Sequence, residues 1–348
     1  MSSQAPLWIS EAEVVSLMGI GEAIRALEKG LLVEAAGKAR NMVKTHLTWD
    51  NGATLHAIGA AFPEAGFVGT KTWAHTPGGA TSLLILFDSK TGALKAVFEA
   101  FALGQMRTAS AAGVATRWLA AEGADEFAII GTGRQALAQV AAVLAVRPVK
   151  RLRVFGRNEE RRAQFVSTVE KAFCVEVAPC RSIAKAVEGA SIITLVTRAT
   201  EPILFAEMVA AGCHINAMGA IVPAQAELGA NVFARATEIV VDSREQAQKL
   251  SRELIEFLGS DTGHWSQVHS LAEVVASRRT RSEGADLTVF KSLGMGIADL
   301  SLAIELYQRA VESGSGRRFE HPQRASLALQ AVGKNRRSQE VVDGIPGV

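Results

Sequence analysis

The sequence predicts an α/β protein with a parallel sheet covered on both faces, and two features of the chain indicate it. From Asp125 onward, short apolar segments alternate with stretches of helical periodicity, which is the pattern of parallel strands joined by helices. In addition, the segment 127-FAIIGTGRQALAQV-140 combines a strand, a glycine turn and a helix. That order is what a phosphate-binding βα unit requires.

Composition and charge narrow the kind of partner and the compartment. The 348 residues are enough for two domains, and a net charge of +2 without a long Lys/Arg run argues against nucleic-acid binding. No apolar run reaches the roughly 18 residues that a membrane span needs, and Glu11 and Glu13 make the start unlike a signal peptide. We therefore expect a cytoplasmic protein without a membrane or nucleic-acid partner.

No metal site is expected from the cysteines and histidines. Cys174, Cys180 and Cys213 match neither the spacing of a zinc motif nor the even number of a disulfide framework, and the seven histidines are scattered. The three cysteines are expected to be small buried side chains.

Periodicity predicts a mixture of helices and strands in the first half of the chain. Helices are expected from Glu11 to Lys38 and from Thr108 to Ala121. The strands expected between them are 45-THL-47, Val68–Trp73, Ser82–Phe87 and Leu94–Phe98, with a turn at 88-DSKTG-92. In the second half, strands are expected at 127–130, 152–155, 191–197, 213–219, 238–242 and 287–290.

The order of these elements indicates two domains. Residues 123–296 contain the alternating strands and helices and are expected to bind a nucleotide. Residues 1–122 and 297–348, with a long amphipathic helix after a glycine-containing turn, are expected to form the other domain. The chain beyond about Ser313 is polar and basic, and we expect a loose tail there.

The glycine turn matches the fingerprint of a Rossmann-type dinucleotide-binding domain. Gly131, Gly133 and Ala136 fit the pattern G-x-G-x-x-G/A. The first glycine permits a tight turn, the second lets backbone N–H groups approach the pyrophosphate, and the small third residue lets helix and strand pack closely. Because the motif follows a predicted strand and opens a predicted helix, it predicts NAD(P) binding.

The end of the second strand of this unit favours NADP(H) over NAD(H). An acidic residue there would accept hydrogen bonds from the adenosine 2′-hydroxyl of NAD, but the sequence has Gly156 instead. Arg157 can offer its planar fork to a 2′-phosphate, and Asn158 can add a donor. The alternative is that Arg157 only caps a surface turn. Arg161 and Arg162 are expected to be solvated helix residues.

Three cations stand in unusual settings in the first half of the chain. Lys71 lies within an apolar strand pattern, and Arg107 lies between an apolar segment and the expected start of a small-residue helix. Lys44 precedes a strand-like segment, and for it a stem lying along apolar surface is an equal alternative. Because guanidinium holds carboxylate in bidentate fashion, Arg107 is a candidate carboxylate-binding residue.

The chain resembles the ornithine cyclodeaminase/μ-crystallin family in six segments, whose order, spacing and local character all agree. They are 69-GTKTW-73, 84-LILFDSKTGA-93, 106-MRTASAAGVAT-116, 130-IGTGRQA-136, 213-CHINAMGA-220 and 288-TVFKSLGMGIADL-300. Members of this family are NAD(P)-dependent enzymes of small amino and imino acids. The resemblance implies a Rossmann-type domain joined to a split α+β substrate domain that forms homodimers through a β-sheet.

The resemblance also implies roles for individual residues. Arg107 and Lys71 match the residues that grip the substrate carboxylate, while Lys44 stands where the family usually has an arginine. Leu293 falls next to the substrate. The positions that the resemblance places at the nucleotide are Arg107, Gly131, Gly133, Arg134, Gln135, Thr197, Met218 and Ser292.

One departure from the family pattern bears on the reaction. True ornithine cyclodeaminases carry an aspartate and a lysine in the segment that corresponds to 218-MGAIVPAQAEL-228, where this sequence has Ile221 and Gln225. An isoleucine cannot accept a proton or hold an ammonium group. Cyclodeamination is therefore not expected, whereas the family's ketimine reductases and amino-acid dehydrogenases can do without that residue.

The remaining residues support the reduction of a 2-imino acid. Arg107 and Lys71 would hold the carboxylate beside a C=N bond, and hydride would reach the imine carbon from the nicotinamide. Lys71 is the candidate proton donor, because burial and Arg107 are expected to lower its pKa, and a bound water is the alternative. Trp73, His75 and His56 are candidates for the pocket wall, although each is equally compatible with a structural role.

Two other functions remain open at this point. One is an ornithine cyclodeaminase in which another group replaces the missing aspartate. The other is an NADPH-binding protein without turnover, similar to the binding role of μ-crystallin toward a small hormone. The sequence identifies neither the substrate's side chain nor whether the imine is cyclic or open-chain.

Overall fold

The computed structural model describes residues 5–259, 263–278 and 280–327, which form two sheets and the helices around them. The strands are β1 (Leu7–Ile9), β2 (Arg40–Asn41), β3 (Thr45–Trp49), β4 (Ala53–Phe62), β5 (Phe67–Thr76), β6 (Gly79–Asp88), β7 (Leu94–Glu99), β8 (Glu126–Ile130), β9 (Arg151–Phe155), β10 (Glu176–Pro179), β11 (Ile192–Leu195), β12 (His214–Ala217), β13 (Ala236–Val241), β14 (Val268–Ser270), β15 (Leu287–Lys291) and β16 (Arg317–Arg318). The helices are α1 (Glu11–Leu17), α2 (Ile20–Ala35), α3 (Phe101–Leu119), α4 (Ala136–Leu144), α5 (Glu159–Ala172), α6 (Ile183–Val187), α7 (Ala230–Arg235), α8 (Arg244–Leu250), α9 (Arg252–Leu258), α10 (Leu271–Ala276) and α11 (Gly296–Ser313).

The first sheet is mostly antiparallel and has one face covered by helices. Its order is β16-β1-β7-β6-β5-β4-β2, with β3 also paired to β4 and β1 parallel to β7. A row across four strands joins Ile58, Lys71, Leu84 and Phe98, and all four side chains are buried. Because side chains alternate between the two faces of a strand, this row marks the face beneath α3 and α11. Lys71 thus places a charge inside an apolar layer.

Helix α11 starts directly against β4, where two backbones touch. A Cβ added to Gly296 would lie only 1.9 Å from the carbonyl oxygen of Gly59, so no other residue fits at that position without displacement. This close approach brings the first turn of α11, with Asp299, down onto the strand next to Lys71.

The second sheet is wholly parallel and confirms the α/β fold class. Its order is β10-β9-β8-β11-β12-β15-β13-β14, and its central strands are buried, as expected for a sheet with helices on both faces. The chain runs from β8 outward through β9 and β10, and then returns to β11 on the other side of β8. Such a reversal opens a crevice at the carboxyl ends of the strands, where doubly wound sheets bind nucleotides.

Helix α3 connects the two sheets physically. Along its length it packs against α2 and α11 on one side and against α4 and β12 on the other. Its last carbonyls are held by two arginines: Nη2 of Arg147 donates to Arg117 O and Ala120 O at 2.7 Å, and Nη1 of Arg281 donates to Leu119 O at 3.1 Å. Guanidinium donors at a helix C-terminus satisfy orphan carbonyls and complement the helix dipole, so α3 is fixed on the second sheet.

Some expectations about the helices were wrong. The single helix expected from Glu11 to Lys38 is two helices, because Met18 and Gly19 are extended and separate α1 from α2. Helix α3 begins at Phe101 rather than Thr108, so Arg107 lies inside the helix and not beside its start. The small residues that suggested a start at Thr108 reflect close packing, since a Cβ at Gly113 would be 2.7 Å from Cδ1 of Ile24.

Two expectations about single side chains also need correction. Arg162 is 9% exposed, and its Nη1 donates to Gly156 O at 2.8 Å, so it is not a solvated residue. Cys213 is buried, as expected, but Cys174 is exposed and Cys180 is half-buried.

The last part of the expected loose tail, residues 328–348, lies outside the described residues. Among the residues that are described, no helix is both long enough and apolar enough to cross a bilayer.

Candidate active site

A buried ion cluster joins three elements that are far apart in the sequence. Lys71 on β5 and Asp299 on α11 form a salt bridge of 2.5 Å between Nζ and Oδ1, and their side chains are 4% and 0% exposed. Nε of Arg107 on α3 lies 3.4 Å from the same carboxylate oxygen. Oδ2 of Asp299 and Nε of Arg107 are buried without a hydrogen-bond partner among the described residues. The cluster therefore keeps hydrogen-bonding capacity that a ligand can use.

Burial and the charge of Arg107 lower the proton affinity of both lysines of the site. Burial, and next the charge of Arg107, lower the pKa of Lys71 to about 8, although Asp299 opposes the shift. Burial and Arg107 likewise lower the pKa of Lys44 to about 8, against the attraction of Asp242 and Asp299. Three cations thus share one region that contains two buried carboxylates, which leaves a net positive charge for an anionic group.

Asp242, which follows β13, organises the loop that faces this cluster. Its carboxylate accepts hydrogen bonds from Ser292 Oγ at 2.8 Å, from Leu293 N at 2.9 Å and from Gly294 N at 2.7 Å. Gly294 has a φ of +91°, and a Cβ there would lie 3.1 Å from Nη1 of Arg107. The loop after β15 is therefore shaped to let the guanidinium of Arg107 lie directly against it.

Aromatic side chains lie on the first sheet next to the cations. Nζ of Lys71 lies 5.1 Å from the centroid of the Trp73 ring, which is a cation–π contact. The ring of His56 stacks on Trp73 with a centroid distance of 4.7 Å and an interplanar angle of 7°. Burial, and then the charge of Lys44, lower the pKa of His56 to about 4, so this imidazole is neutral at physiological pH.

The glycine turn after β8 has the shape of a phosphate cradle. Gly131 has a φ of +115°, and a Cβ on it would lie 2.6 Å from the carbonyl oxygen of Val196. Space around Gly133 is open, Arg134 is exposed, and Oε1 of Gln135 is buried without a hydrogen-bond partner among the described residues. Together with the start of α4, these features fit a dinucleotide pyrophosphate.

At the end of β9, where a ribose-binding acid would stand, a side chain on Gly156 would overlap that of Thr132. A Cβ on Gly156 would lie 2.7 Å from Oγ1 of Thr132. The side chain of Asn158 accepts a hydrogen bond from Arg161 N at 2.8 Å and so caps α5, which leaves its amide group as a donor. Arg157 is exposed beside this turn.

Buried Glu227 joins two of the loops at the carboxyl edge of the second sheet. It accepts hydrogen bonds from Thr197 N and Oγ1, both at 2.7 Å, and from Gly219 N at 2.8 Å. Burial raises its pKa, while Lys291 and these donors act in the opposite direction. Because the hydroxyl of Thr197 is bound in this way, Thr197 serves first to fix the loop that follows β11. Met218, at the end of β12, is buried.

The structure brings Lys71 and Arg107 together on one carboxylate and places Lys44 within their electrostatic reach. Leu293 is buried in the loop held by Asp242, and Ser292 uses its hydroxyl to hold Asp242. Sequence reasoning missed Asp299, Asp242 and Glu227. For Asp242 the available signal was an acidic residue at the end of a conspicuously apolar strand, since Asp242 follows 239-IVV-241.

The chain is similar to known proteins in sequence and in fold. A profile described as the ornithine cyclodeaminase/mu-crystallin family matches residues 6–314. A Delta(1)-pyrroline-2-carboxylate reductase of Bacillus cereus is 30% identical over 331 residues, which cover 90% of this chain and 99% of that protein.

Two solved structures share the fold over most of the chain. The Delta(1)-pyrroline-2-carboxylate reductase of Thermococcus litoralis, in complex with NADH and L-proline, is 28% identical with a TM-score of 0.84, and the match covers 90% of this chain and 100% of that one. An archaeal alanine dehydrogenase dimer with bound NAD is 28% identical with a TM-score of 0.83, covering 91% and 99% of the two chains.

Replacement of Gly294 by alanine is expected to weaken substrate binding. The new Cβ would push on Arg107, so KM for the substrate should rise on the order of tenfold, equal to about 1.4 kcal/mol, with a smaller change in kcat. Steady-state kinetics measure this change. Gly314→Ala is the matched control, because Gly314 has a φ of +69° with open space around it. Equal effects of both substitutions on KM would mean that backbone strain, and not Arg107, is responsible.

Proposed function

Because the chain belongs to the ornithine cyclodeaminase/mu-crystallin family, we propose that it is an NAD(P)H-dependent reductase of small 2-imino acids. The observation that carries the proposal is the buried cluster of Lys71, Arg107 and Asp299, which retains positive charge and unused hydrogen-bonding atoms. A reductase of 2-imino acids needs a positively charged binding site of this kind, since it must hold the acid group of its substrate beside the hydride donor.

Arg107 and Lys71 bind the substrate carboxylate in this proposal. Arg107 offers a planar guanidinium next to the cofactor-side loop, and Lys71 offers an ammonium that the Asp299 salt bridge holds in place. Lys44 adds a third positive charge at the edge of the cluster. Two points of attachment fix the direction of the adjoining C=N bond, and this orientation accounts for a large share of the rate.

Lys71 is also the proposed proton donor to the imine nitrogen. When bound, the reduced nicotinamide supplies hydride to the imine carbon. Burial and Arg107 lower the pKa of Lys71 to about 8, so its ammonium is a stronger acid than that of an ordinary lysine. Asp299 holds the ammonium at a defined position and, because its charge favours the protonated form of Lys71, it promotes reprotonation of the amine after the proton leaves.

The same geometry supports reduction over cyclodeamination. Ile221 is exposed on the loop after β12, and its backbone N–H donates to the side chain of Gln225 at 3.4 Å. Neither residue provides a carboxylate or an ammonium for amine chemistry at this point of the loop.

NADPH oxidation, followed with pyrroline-2-carboxylate, piperideine-2-carboxylate and open-chain 2-imino acids, tests the function. We expect turnover with at least one of them, and a kcat/KM that falls as pH rises through about 8, because Lys71 must carry its proton to donate it. Lys71→Met should lower kcat/KM by about a hundredfold or more. Lys90→Met, at an exposed turn, is the control. Unchanged activity in Lys71→Met would remove this side chain from the mechanism.

We further propose that NADPH is preferred over NADH. Support comes from the absence of a side chain at Gly156, the exposed guanidinium of Arg157 and the free amide donors of Asn158. Arg157→Ala should raise KM for NADPH by about tenfold while KM for NADH stays nearly constant, since one charge-assisted contact to the 2′-phosphate is lost. Arg161→Ala, an exposed neighbour on α5, should change neither constant. A wild-type preference for NADH would contradict the proposal directly.

The outer face of the first sheet supports a homodimer. Leu47, Trp49 and Leu55 are 63%, 44% and 44% exposed, and they lie on the face opposite Lys71. Contiguous apolar surface of this kind is typical of protein interfaces. Leu47→Glu should convert a dimer into a monomer in light scattering, whereas Val15→Glu, at an equally exposed position on α1, should leave the mass unchanged. A monomeric wild-type protein would rule the dimer out.

A further inference from the structure

The row of side chains next to Lys71 forms a continuous stack of rings. His46, His56 and Trp73 pair directly across β3, β4 and β5, and we call these three residues the ring row. The centroids of His46 and His56 are 5.6 Å apart, and those of His56 and Trp73 are 4.7 Å apart. Stacking covers most faces of the three rings, so a ligand beside the ring row would meet mainly ring edges. The edge of an aromatic ring is the positive part of its quadrupole.

The ring row lies directly beside Lys71, which is proposed to hold the substrate carboxylate. Trp73 is two residues beyond Lys71 on the same strand and on the same face, a distance of about 7 Å along the strand. Nζ of Lys71 lies 5.1 Å from the Trp73 ring centroid, so the ring row is adjacent to the carboxylate cradle, the cluster of Lys71, Arg107 and Asp299. A group three to five atoms long, attached beside a bound carboxylate, spans that distance.

The surroundings of the ring row are electropositive. Lys71 lies over Trp73, and the charge of Lys44 acts on His56. The two carboxylates nearest to these cations already have partners: Asp299 is fully buried and pairs with Lys71 through Oδ1, and Asp242 accepts three hydrogen bonds from the loop after β15. Burial and neighbouring positive charge keep His56 uncharged, and the same two factors act on any other cation placed beside it.

We propose that the ring row contacts the side chain of the substrate and excludes a cationic one, so that the substrates are 2-imino acids whose side chain or ring carries no positive charge apart from that of the imine nitrogen that Lys71 protonates. This inference rests on the proposed function, and it names the substrate class of the same site. A substrate ammonium at the ring row would face Lys44 and Lys71, and among the described residues no carboxylate forms a hydrogen bond or ion pair with a ring-row side chain. An uncharged ring or alkyl group meets no such repulsion and covers the ring edges from water.

A pair of amino acids with the same shape and different charge tests the exclusion. L-Norleucine and L-ornithine have side chains of equal length, and each can be measured as a competitive inhibitor of imine reduction or as a substrate for oxidation with NADP⁺. We expect ornithine to bind at least about tenfold more weakly than norleucine, because its ammonium is desolvated beside two cations. Equal affinity for the two amino acids would refute the inference.

Substitutions in the ring row test whether His56 causes the weaker binding of ornithine compared with norleucine. The quantity compared is the affinity for norleucine divided by the affinity for ornithine. His56→Glu should lower this affinity ratio by about tenfold or more, because it supplies the missing negative charge. His56→Gln, whose side chain has the shape of glutamate without the charge, should leave the affinity ratio unchanged. His46→Glu places the same charge one strand farther from Trp73, at about 4.8 Å more, and should have a smaller effect. Fluorescence of bound NADPH shows whether each variant is folded.

The outcomes separate this inference from the proposed function. Wild-type protein that binds NADPH and reduces no imine overturns the function itself. The role of the ring row is overturned if the wild-type protein reduces imines and the His56→Glu and His56→Gln variants have the same ratio of norleucine affinity to ornithine affinity. The proposed function stands in that case.

Discussion

Asp299 is the charge on which the arrangement of the site depends. Its carboxylate lies in the first turn of α11, where the helix dipole favours an anion, and it is fully buried between Lys71 and Arg107. Two cations brought together in a dry site would repel each other without it. Loss of one member of such a buried cluster leaves an uncompensated charge, which typically costs about 3–5 kcal/mol. The same carboxylate therefore stabilises the fold and keeps the cations in position.

Helix α3 connects the ion cluster to the second sheet, on the nucleotide side of the molecule. Arg107 lies in its second turn, and a Cβ on Gly104 of the same helix would lie only 3.6 Å from Nζ of Lys71. The other end of α3 is bound to the second sheet through the guanidinium groups of Arg147 and Arg281. One rigid helix thus determines how the carboxylate cradle stands relative to the carboxyl edge of the parallel strands.

The sequence was informative where a single segment contains the whole signal. The glycine turn after β8 and the alternating strands of the second sheet are local patterns, and Lys71 was conspicuous because a charge interrupts an apolar strand. Asp299 could not be found in this way, because its partner Lys71 is 228 residues away and an acidic residue in a first helical turn is ordinary. The start of α3 was misplaced for a related reason: 101-FALGQM-106 is as compatible with a strand as with a helix when its packing partners are unknown.

The contact between Gly59 and Gly296 determines how deeply α11 sits on the sheet. The separation of these two elements is limited by main-chain atoms, since even a methyl group at Gly296 would overlap the opposing carbonyl. Side-chain exchange elsewhere along β4 or α11 can therefore change how well the layers pack without changing the height of the carboxylate above the strand. Variation in the wall of the pocket is thereby decoupled from the spacing of the ion pair.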